Sequence, residues 1–205
     1  MSAHTELARL GTATVYEAAG RQGLIDAELV QVVPGSRAAG PARTARCGQG
    51  DNLMVHAAMD RLQPGEVLVL TMPEPAPVAL LGELLATQAK ARGAAAVLVD
   101  ASVRDVEELR ELGLPIWARW VRVRGATKIE VGELDVPVDV GGATIRPGDL
   151  LVLDADGGAV VAAERVDEVL AASLEREEKE RVKRERLQGG ALSYDLDGLR
   201  ALVER

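Results

Sequence analysis

The chain has 205 residues, enough for one domain with an appended element and a core of its own. Its net charge of −8, with no block of clustered Lys and Arg, argues against a nucleic-acid surface, and a single cysteine, Cys47, excludes an intrachain disulfide. With no Phe, two Trp and two Tyr the core must be Val, Leu and Ala; no segment reaches the roughly 20 apolar residues of a membrane span, so no membrane contact and a cytoplasmic setting are expected.

In chain order, "TELARLGTATVYEAAGRQG" spaces Leu7, Leu10, Val15 and Ala18 as on a helix, with Thr14 able to cap a turn and Gly23 able to end it. "ELVQVV" reads as a strand closed by Pro34-Gly35. "AAGPARTARCG" is rich in small residues, so its backbone can run close to a neighbour, and "NLMVHAAMDRL" is an amphipathic helix. "QPGEVLVL" and "RPGDLLVLD" echo each other: a Pro-Gly turn, an acid, then an aliphatic strand, as a type II turn favours. Two copies are too few for a solenoid.

"PVALLGELLATQAKARG" predicts a helix after a Pro-rich loop, ended by Gly93. "AAAVLVD" is a strand apolar on both faces that ends on Asp100, and "VEELRELG" is the next helix, stopped by Gly113 and Pro115. "LPIWARW" and "LDVPVDVGGATIRPGD" are strand-and-turn material; "ERVDEVLAASLEREEKERVKRERLQGG" is one long helix ended by Gly189-Gly190, followed by a short tail. Helix–strand alternation flanked by β-rich segments indicates α/β with layered sheets. Neither GxGxxG nor GxxxxGK[ST] occurs, so a nucleotide-binding unit is not expected.

Three stretches could carry chemistry. Asp105 and Glu108 match a capping box before "VEELREL", but Asp100, Arg104 and Asp105 also follow an apolar strand, where α/β sites gather. Gly82 at a helix start would leave the amides of Glu83, Leu84 and Leu85 free for an anion. In "EREEKERVKRER" only Val182 is uncharged; Glu175–Lys179, Glu177–Arg181 and Glu180–Arg184 are possible i,i+4 pairs, and so polar a helix is expected to reach another chain. His56, on an amphipathic helix, reads as structural, and neither Lys90 nor Lys128 has the apolar setting of a Schiff-base lysine.

The order of these motifs resembles the family that includes the class II 4-hydroxy-4-methyl-2-oxoglutarate / 4-carboxy-4-hydroxy-2-oxoadipate aldolases and the ribonuclease regulator RraA. "TATVYEAAGRQG", "AAGPARTA", "GELLATQAKARGAAAVLVDASVRDVEELRELGLPIWAR", "VPVDVGGATIRPGDLLVLDADGGAVV" and the tail "REEKERVKRERLQGGALSYDLDGLR" carry the likeness. It implies a layered β/β/α swivelling-domain fold over 1–164, with 165–205 a helix and tail packing on a neighbouring subunit of a trimer or hexamer. It also implies that Arg104 holds the carboxylate of a small 2-oxo acid and that Asp105 binds Mg²⁺ or Mn²⁺. Glu83 would position metal-bound water, Gly82 and the amides of Leu84 and Leu85 would contact substrate, and Asp100 would support the site. A tail glutamate from a neighbour, Glu180 first and Glu177 second, would complete it. The implied activity is cleavage of a 4-hydroxy-2-oxo acid to pyruvate through an enolate, with oxaloacetate decarboxylation alongside. The alternative is a non-catalytic regulator that binds a ribonuclease; the tail speaks against it, because that branch resembles the core but ends near "DADGGAVV". A quinone methyltransferase, also attached to relatives, lacks a glycine-rich cofactor loop here. The chain departs from the family with Ala101 in place of Gly in "D-G-x-x-R-D", with Glu17 in place of Asp in "D-A-x-G", and throughout "RWVRVRGATKIEVGE".

Overall fold

The computed structural model describes residues 2–204. Helices α1 (Ala3–Leu10) and α2 (Thr12–Ala18) lead into short strands β1 (Leu24–Ile25) and β2 (Val30–Gln31), then the long strand β3 (Ala38–Arg46). Three crossovers follow: α3 (Leu53–Arg61) to β4 (Val67–Thr71); β5 (Ala79–Leu81) and α4 (Glu83–Ala91) to β6 (Ala96–Val103); and α5 (Val106–Leu112) to β7 (Ile116–Val121). Next come β8 (Glu133–Leu134), the hairpin β9 (Val138–Val140)–β10 (Ala143–Ile145), and the antiparallel pair β11 (Leu150–Asp154)–β12 (Gly157–Val161). A 3-10 turn (Ala163–Arg165) enters α6 (Val166–Gln188), and α7 (Ser193–Leu196) and α8 (Arg200–Val203) form the tail.

Strand β3 joins two layers. Its first half pairs antiparallel with β11, Ala38 opposite Leu153, and its second half pairs parallel with β4, Ala42 opposite Val67. The full order is β1-β12-β11-β3-β4-β6-β7-β2, with β5 attached to β6 and β8 to β3. The two Pro-Gly units therefore flank the same strand. Small residues in β3 permit this: a Cβ on Gly40 would stand 2.2 Å from the Gly65 carbonyl oxygen, in the turn before β4.

Because β4 and β6 are apolar on both faces, each face has its own core. Val97, Val99, Ala101 and Leu68 face α3, α4 and α5. Val67, Val69, Leu98 and Trp117 instead meet Val138, Ile145, Leu151 and Leu153 of the second sheet layer. A third cluster lies beyond β11 and β12, where Leu7, Val15 and Val169 cover Leu150 and Val152. The layering is the expected β/β/α.

Some local expectations are corrected. The opening helix is two helices broken at Gly11 (φ 86°), and Thr14 does not cap: the Asp154 carboxylate accepts from the Thr12 amide instead. The second helix stops at Ala18, short of Gly23. The strand expected over "ELVQVV" shrinks to two residues, and "VALL" begins as β5 before its helix. The strand expected to end on Asp100 runs on to Val103. On α6, Glu175–Lys179 forms, but Glu177 pairs with Arg9, Glu180 with Arg176, and Arg181 with Glu178 and Glu185. The first turns of α6 bury Val169 and Ser173 against the chain's own α1 and α2, while Leu174 and Val182 stay exposed. Among the described residues no helix is long and apolar enough to cross a membrane.

Candidate active site

Two parallel strands ending side by side create the site. Ala79 of β5 lies opposite Ser102 of β6, and Leu81 opposite Val103. The next residues, Gly82 and Arg104-Asp105, are therefore neighbours at the carboxyl edge, with the Arg104 amide donating to the Leu81 carbonyl at 3.2 Å. The approach is close enough to need glycine. A Cβ on Gly82 would stand 2.5 Å from Asp105 Oδ2 and 3.2 Å from Arg104 Nε. Gly125 does the same on the other side, where a Cβ would meet Arg104 Nη1 at 2.9 Å.

Asp105 is at the N-cap position of α5 but does not cap it with its side chain. Its backbone is left-handed (φ 62°, ψ 46°), a conformation uncommon for a non-glycine residue and one that clusters at functional sites. The carboxylate turns instead to α4: the Glu83 amide donates to Oδ2 at 3.0 Å. The capping-box expectation is thus replaced by a cross-link between two helix starts. It occupies one of the three α4 amides expected to be free and leaves those of Leu84 and Leu85 in the first turn, at a terminus without a side-chain cap. Arg104 Nε lies 3.6 Å from Asp105 Oδ2, both side chains about half exposed, so the pair is worth less than about 1 kcal/mol of stability.

Arg104, Asp105, Gly82, Leu84 and Leu85 line one cleft of about 180 Å³. Three further residues line it that the motifs did not single out: Asn52, His56 and Lys128. Asn52 is buried, its Nδ2 donating to the Leu80 carbonyl at 3.1 Å while its Oδ1 has no partner. The Asp-Asn pair opening α3 is their only local signal, and only the fold brings 51–56 and 125–128 to residue 104.

Other expected residues lie elsewhere in the chain. Asp100 is inside β6, its side chain 3% exposed, with Arg119 Nε donating to Oδ1 at 2.5 Å. Burial pushes its carboxyl up in pKa, against the pull of the Arg119 hydrogen bond and charge. The Glu83 carboxylate does not line the cleft and accepts from Thr87 Oγ1 at 2.8 Å, so it is this residue's amide that serves Asp105. Glu177 is gripped in two places by Arg9, at 2.6 Å each, and that hydrogen bonding holds its carboxyl below the usual range. Glu180 has an ion pair with Arg176 at 2.9 Å. Neither tail acid lines the cleft of its own chain.

Among the described residues no three His, Cys, Asp or Glu side chains gather as a metal cage. The donor set still suits one kind of cation. Asp105 offers a carboxylate braced by an amide against side-chain-free Gly82, and Mg²⁺ or Mn²⁺ can use one or two carboxylates and take its remaining ligands from water and substrate. A four-ligand structural zinc site is not supplied.

Comparison with known proteins agrees with this geometry. A protein of Halalkalibacterium halodurans named "Putative 4-hydroxy-4-methyl-2-oxoglutarate aldolase" is 35% identical over 166 residues, covering 81% of this chain and 77% of that one. Among solved structures, Streptomyces coelicolor RraAS2, described as an unusual member of the RNase ES inhibitor RraA protein family, superposes with a TM-score of 0.79 at 31% identity, covering 89% of this chain and 95% of that one. The RNA-processing inhibitor RraA from Thermus thermophilis gives 0.63 at 33% identity, over 73% of this chain and 91% of that one. The RraAS2 match spans more than residues 1–164 can supply, so it runs into α6, and a C-terminal extension does not by itself separate aldolases from regulators. Residues 12–161 match the RraA-like family (Aldolase/RraA), and the chain belongs to that family.

Proposed function

We propose that the protein is a divalent-metal-dependent aldolase that cleaves a 4-hydroxy-2-oxo acid, of the 4-hydroxy-4-methyl-2-oxoglutarate type, and releases pyruvate. The observation that carries this reading is Asp105: a strained residue that gives up capping its own helix and is held across Gly82 by the Glu83 amide, beside Arg104. The name of the 35% identical relative supports the same chemistry.

Cleavage breaks the C3–C4 bond. The C4 hydroxyl gives up its proton and becomes the carbonyl of the leaving fragment, and the bonding pair passes to the pyruvyl half as an enolate, which takes a proton at C3. Arg104 presents a planar fork to the pyruvyl carboxylate and can hold it in two places. The Leu84 and Leu85 amides, at the positive end of α4, add fixed donors to the same end of the substrate. Asp105, with Oδ2 satisfied by Glu83, directs its remaining acceptor capacity toward a cation, and Gly82 gives both groups room. Bound there, Mg²⁺ or Mn²⁺ would supply Lewis-acid stabilisation of the charge that develops on the 2-oxo oxygen, worth several kcal/mol. A Schiff-base route has little support, because Lys128 is exposed and Lys90 Nζ donates to the Leu112 carbonyl. Oxaloacetate decarboxylation passes through the same enolate and belongs to the same proposal.

A trimer or hexamer in which a neighbour's tail closes the cleft is part of this reading. Glu180 is the better placed acid, since Glu177 is already gripped in two places by Arg9. Exposed Leu84, Val123, Ile129 and Val131 are the kind of surface such a neighbour would cover.

The test is pyruvate release from 4-hydroxy-4-methyl-2-oxoglutarate and from oxaloacetate, coupled to lactate dehydrogenase, with Mg²⁺, Mn²⁺ or EDTA. Release that EDTA abolishes and that Arg104→Ala lowers at least 100-fold is expected. Unchanged turnover and substrate binding in Arg104→Ala would defeat the reading. A second reading, a regulator that binds a ribonuclease, draws on the likeness to RraAS2; tight ribonuclease capture with no pyruvate release from either acid would put it first.

A further inference from the structure

The cleft holds a second cation that the mechanism above does not use. Lys128 lines it, is exposed, and has no ion-pair or hydrogen-bond partner among the described residues. Neither helix nor strand places this lysine; it sits in the irregular stretch between β7 and β8. Such a segment is free to move unless its backbone is tied down.

Asp51 ties it down. This fully buried carboxylate accepts from Thr127 Oγ1 at 2.6 Å, the Ile129 amide at 2.7 Å and the Glu130 amide at 3.2 Å, all through Oδ2, while Oδ1 takes the Leu53 amide at 2.8 Å. The Thr127 amide donates to the Gly50 carbonyl at 3.0 Å, and the Asn52 amide donates to the Thr127 carbonyl at 2.9 Å. The residues on both sides of Lys128 are thereby fixed to the start of α3. Burial pushes the Asp51 carboxyl up, but the hydrogen bonds outweigh it and bring it down to about 2, so the anchor stays ionised. The outcome is a lysine whose root is rigid and whose ammonium is unpaired, across a small cleft from Arg104.

We propose that Lys128 is the residue that selects substrates with a second carboxylate, and that Asp51 is its positioning residue. The inference rests on the aldolase reading for its substrate, a 2-oxo acid with a carboxylate at each end. Arg104 matches the pyruvyl carboxylate by its flat, two-pronged geometry. An ammonium is a compact charge that can turn on its stem, which suits a distal carboxylate belonging to the fragment that leaves. A monocarboxylate such as pyruvate leaves Lys128 without a partner.

Binding tests this separately from catalysis. The full-length protein with Mg²⁺, its Lys128→Met and Lys128→Arg variants and Asp51→Asn are titrated calorimetrically with 2-oxoglutarate and with pyruvate. The ratio of the two dissociation constants within one preparation is independent of any inactive fraction. Lys128→Met is expected to weaken 2-oxoglutarate about 10- to 100-fold and pyruvate less than about twofold, the loss of one charge-assisted hydrogen bond. Lys128→Arg restores most of the preference, and Asp51→Asn erodes it in the same direction. Equal weakening of both ligands, no weakening of either, or failure of both to bind the parent protein overturns the inference. Turnover of 4-hydroxy-4-methyl-2-oxoglutarate by the parent protein, measured in parallel, reports on the aldolase reading alone.

Discussion

Replacing Gly82 by Ala is the sharpest probe of the site, because it adds one methyl group and removes nothing. The new Cβ would sit 2.5 Å from Asp105 Oδ2, and ordinary contact begins at 3.4 Å, so the carboxylate has to retreat by about 0.9 Å. The Glu83 amide now holds that oxygen at 3.0 Å; after the retreat the hydrogen bond is too long to count. Arg104 is crowded as well, with Nε at 3.2 Å and Cγ at 3.3 Å from the added carbon. Losing a charged hydrogen bond costs about 1.5–3 kcal/mol, yet the Gly82 backbone, with φ −135°, is open to alanine, and alanine lowers the entropy of the unfolded chain by about 0.4–1 kcal/mol. Net stability should therefore fall by no more than about 2 kcal/mol. Activity should fall much further, since a displacement near 1 Å of a catalytic group costs on the order of 100-fold. The assays are urea unfolding and metal-dependent pyruvate release on the same preparation. Parent-like turnover in Gly82→Ala would refute the argument that Asp105 and Arg104 work at their observed positions.

Arg119→Met should strand the buried Asp100 carboxylate and destabilise the fold by about 3–5 kcal/mol in urea unfolding, with part recovered when Asp100→Asn is added; a loss below about 1 kcal/mol would contradict the pairing. Cys47 is buried, and burial, followed by the Asp51 charge, pushes its thiol up to about 12. It should resist a thiol reagent at pH 8 in the native protein and react on unfolding; rapid native labelling would count against this. Asp51 has the opposite sign: its folded pKa is depressed, so between about pH 4 and pH 2 the unfolded state takes up the proton first. The stability it confers is present above the ordinary carboxylate range and lost as pH falls through about 2. The stability gap between the parent and Asp51→Asn should therefore narrow from pH 5 to pH 2.5; a constant gap would be inconsistent with it.

The legible parts were those governed by neighbours in sequence. Unbroken aliphatic runs marked β4, β6 and β11, Pro-Gly turns set their starts, and Gly93 and Gly113 ended α4 and α5 at positive φ. The errors lay where a distant partner competes. Two-residue strands such as β2 exist only because β7 is beside them, and Gly11 breaks the first helix where the Asp154 carboxylate accepts from the Thr12 amide. Surface charge pairing on α6 was also misread, because Arg9 from α1 outbids an i,i+4 neighbour for Glu177.

The same division runs through the site. By itself the sequence determined the residue types and their order, Gly82 before a helix and Arg104-Asp105 before the next, since motif and turn chemistry are local. It left Asp105 with two roles, and its own spacing favoured the cap. Only the tertiary structure decided between them: parallel pairing of β5 with β6 sets Gly82 against Asp105, and a carboxylate 3.0 Å from the Glu83 amide turns to that donor rather than to its own helix. Asn52 and Lys128 joined the cleft the same way, through the Asp51 anchor, because which distant loops meet depends on packing that no single window of sequence contains.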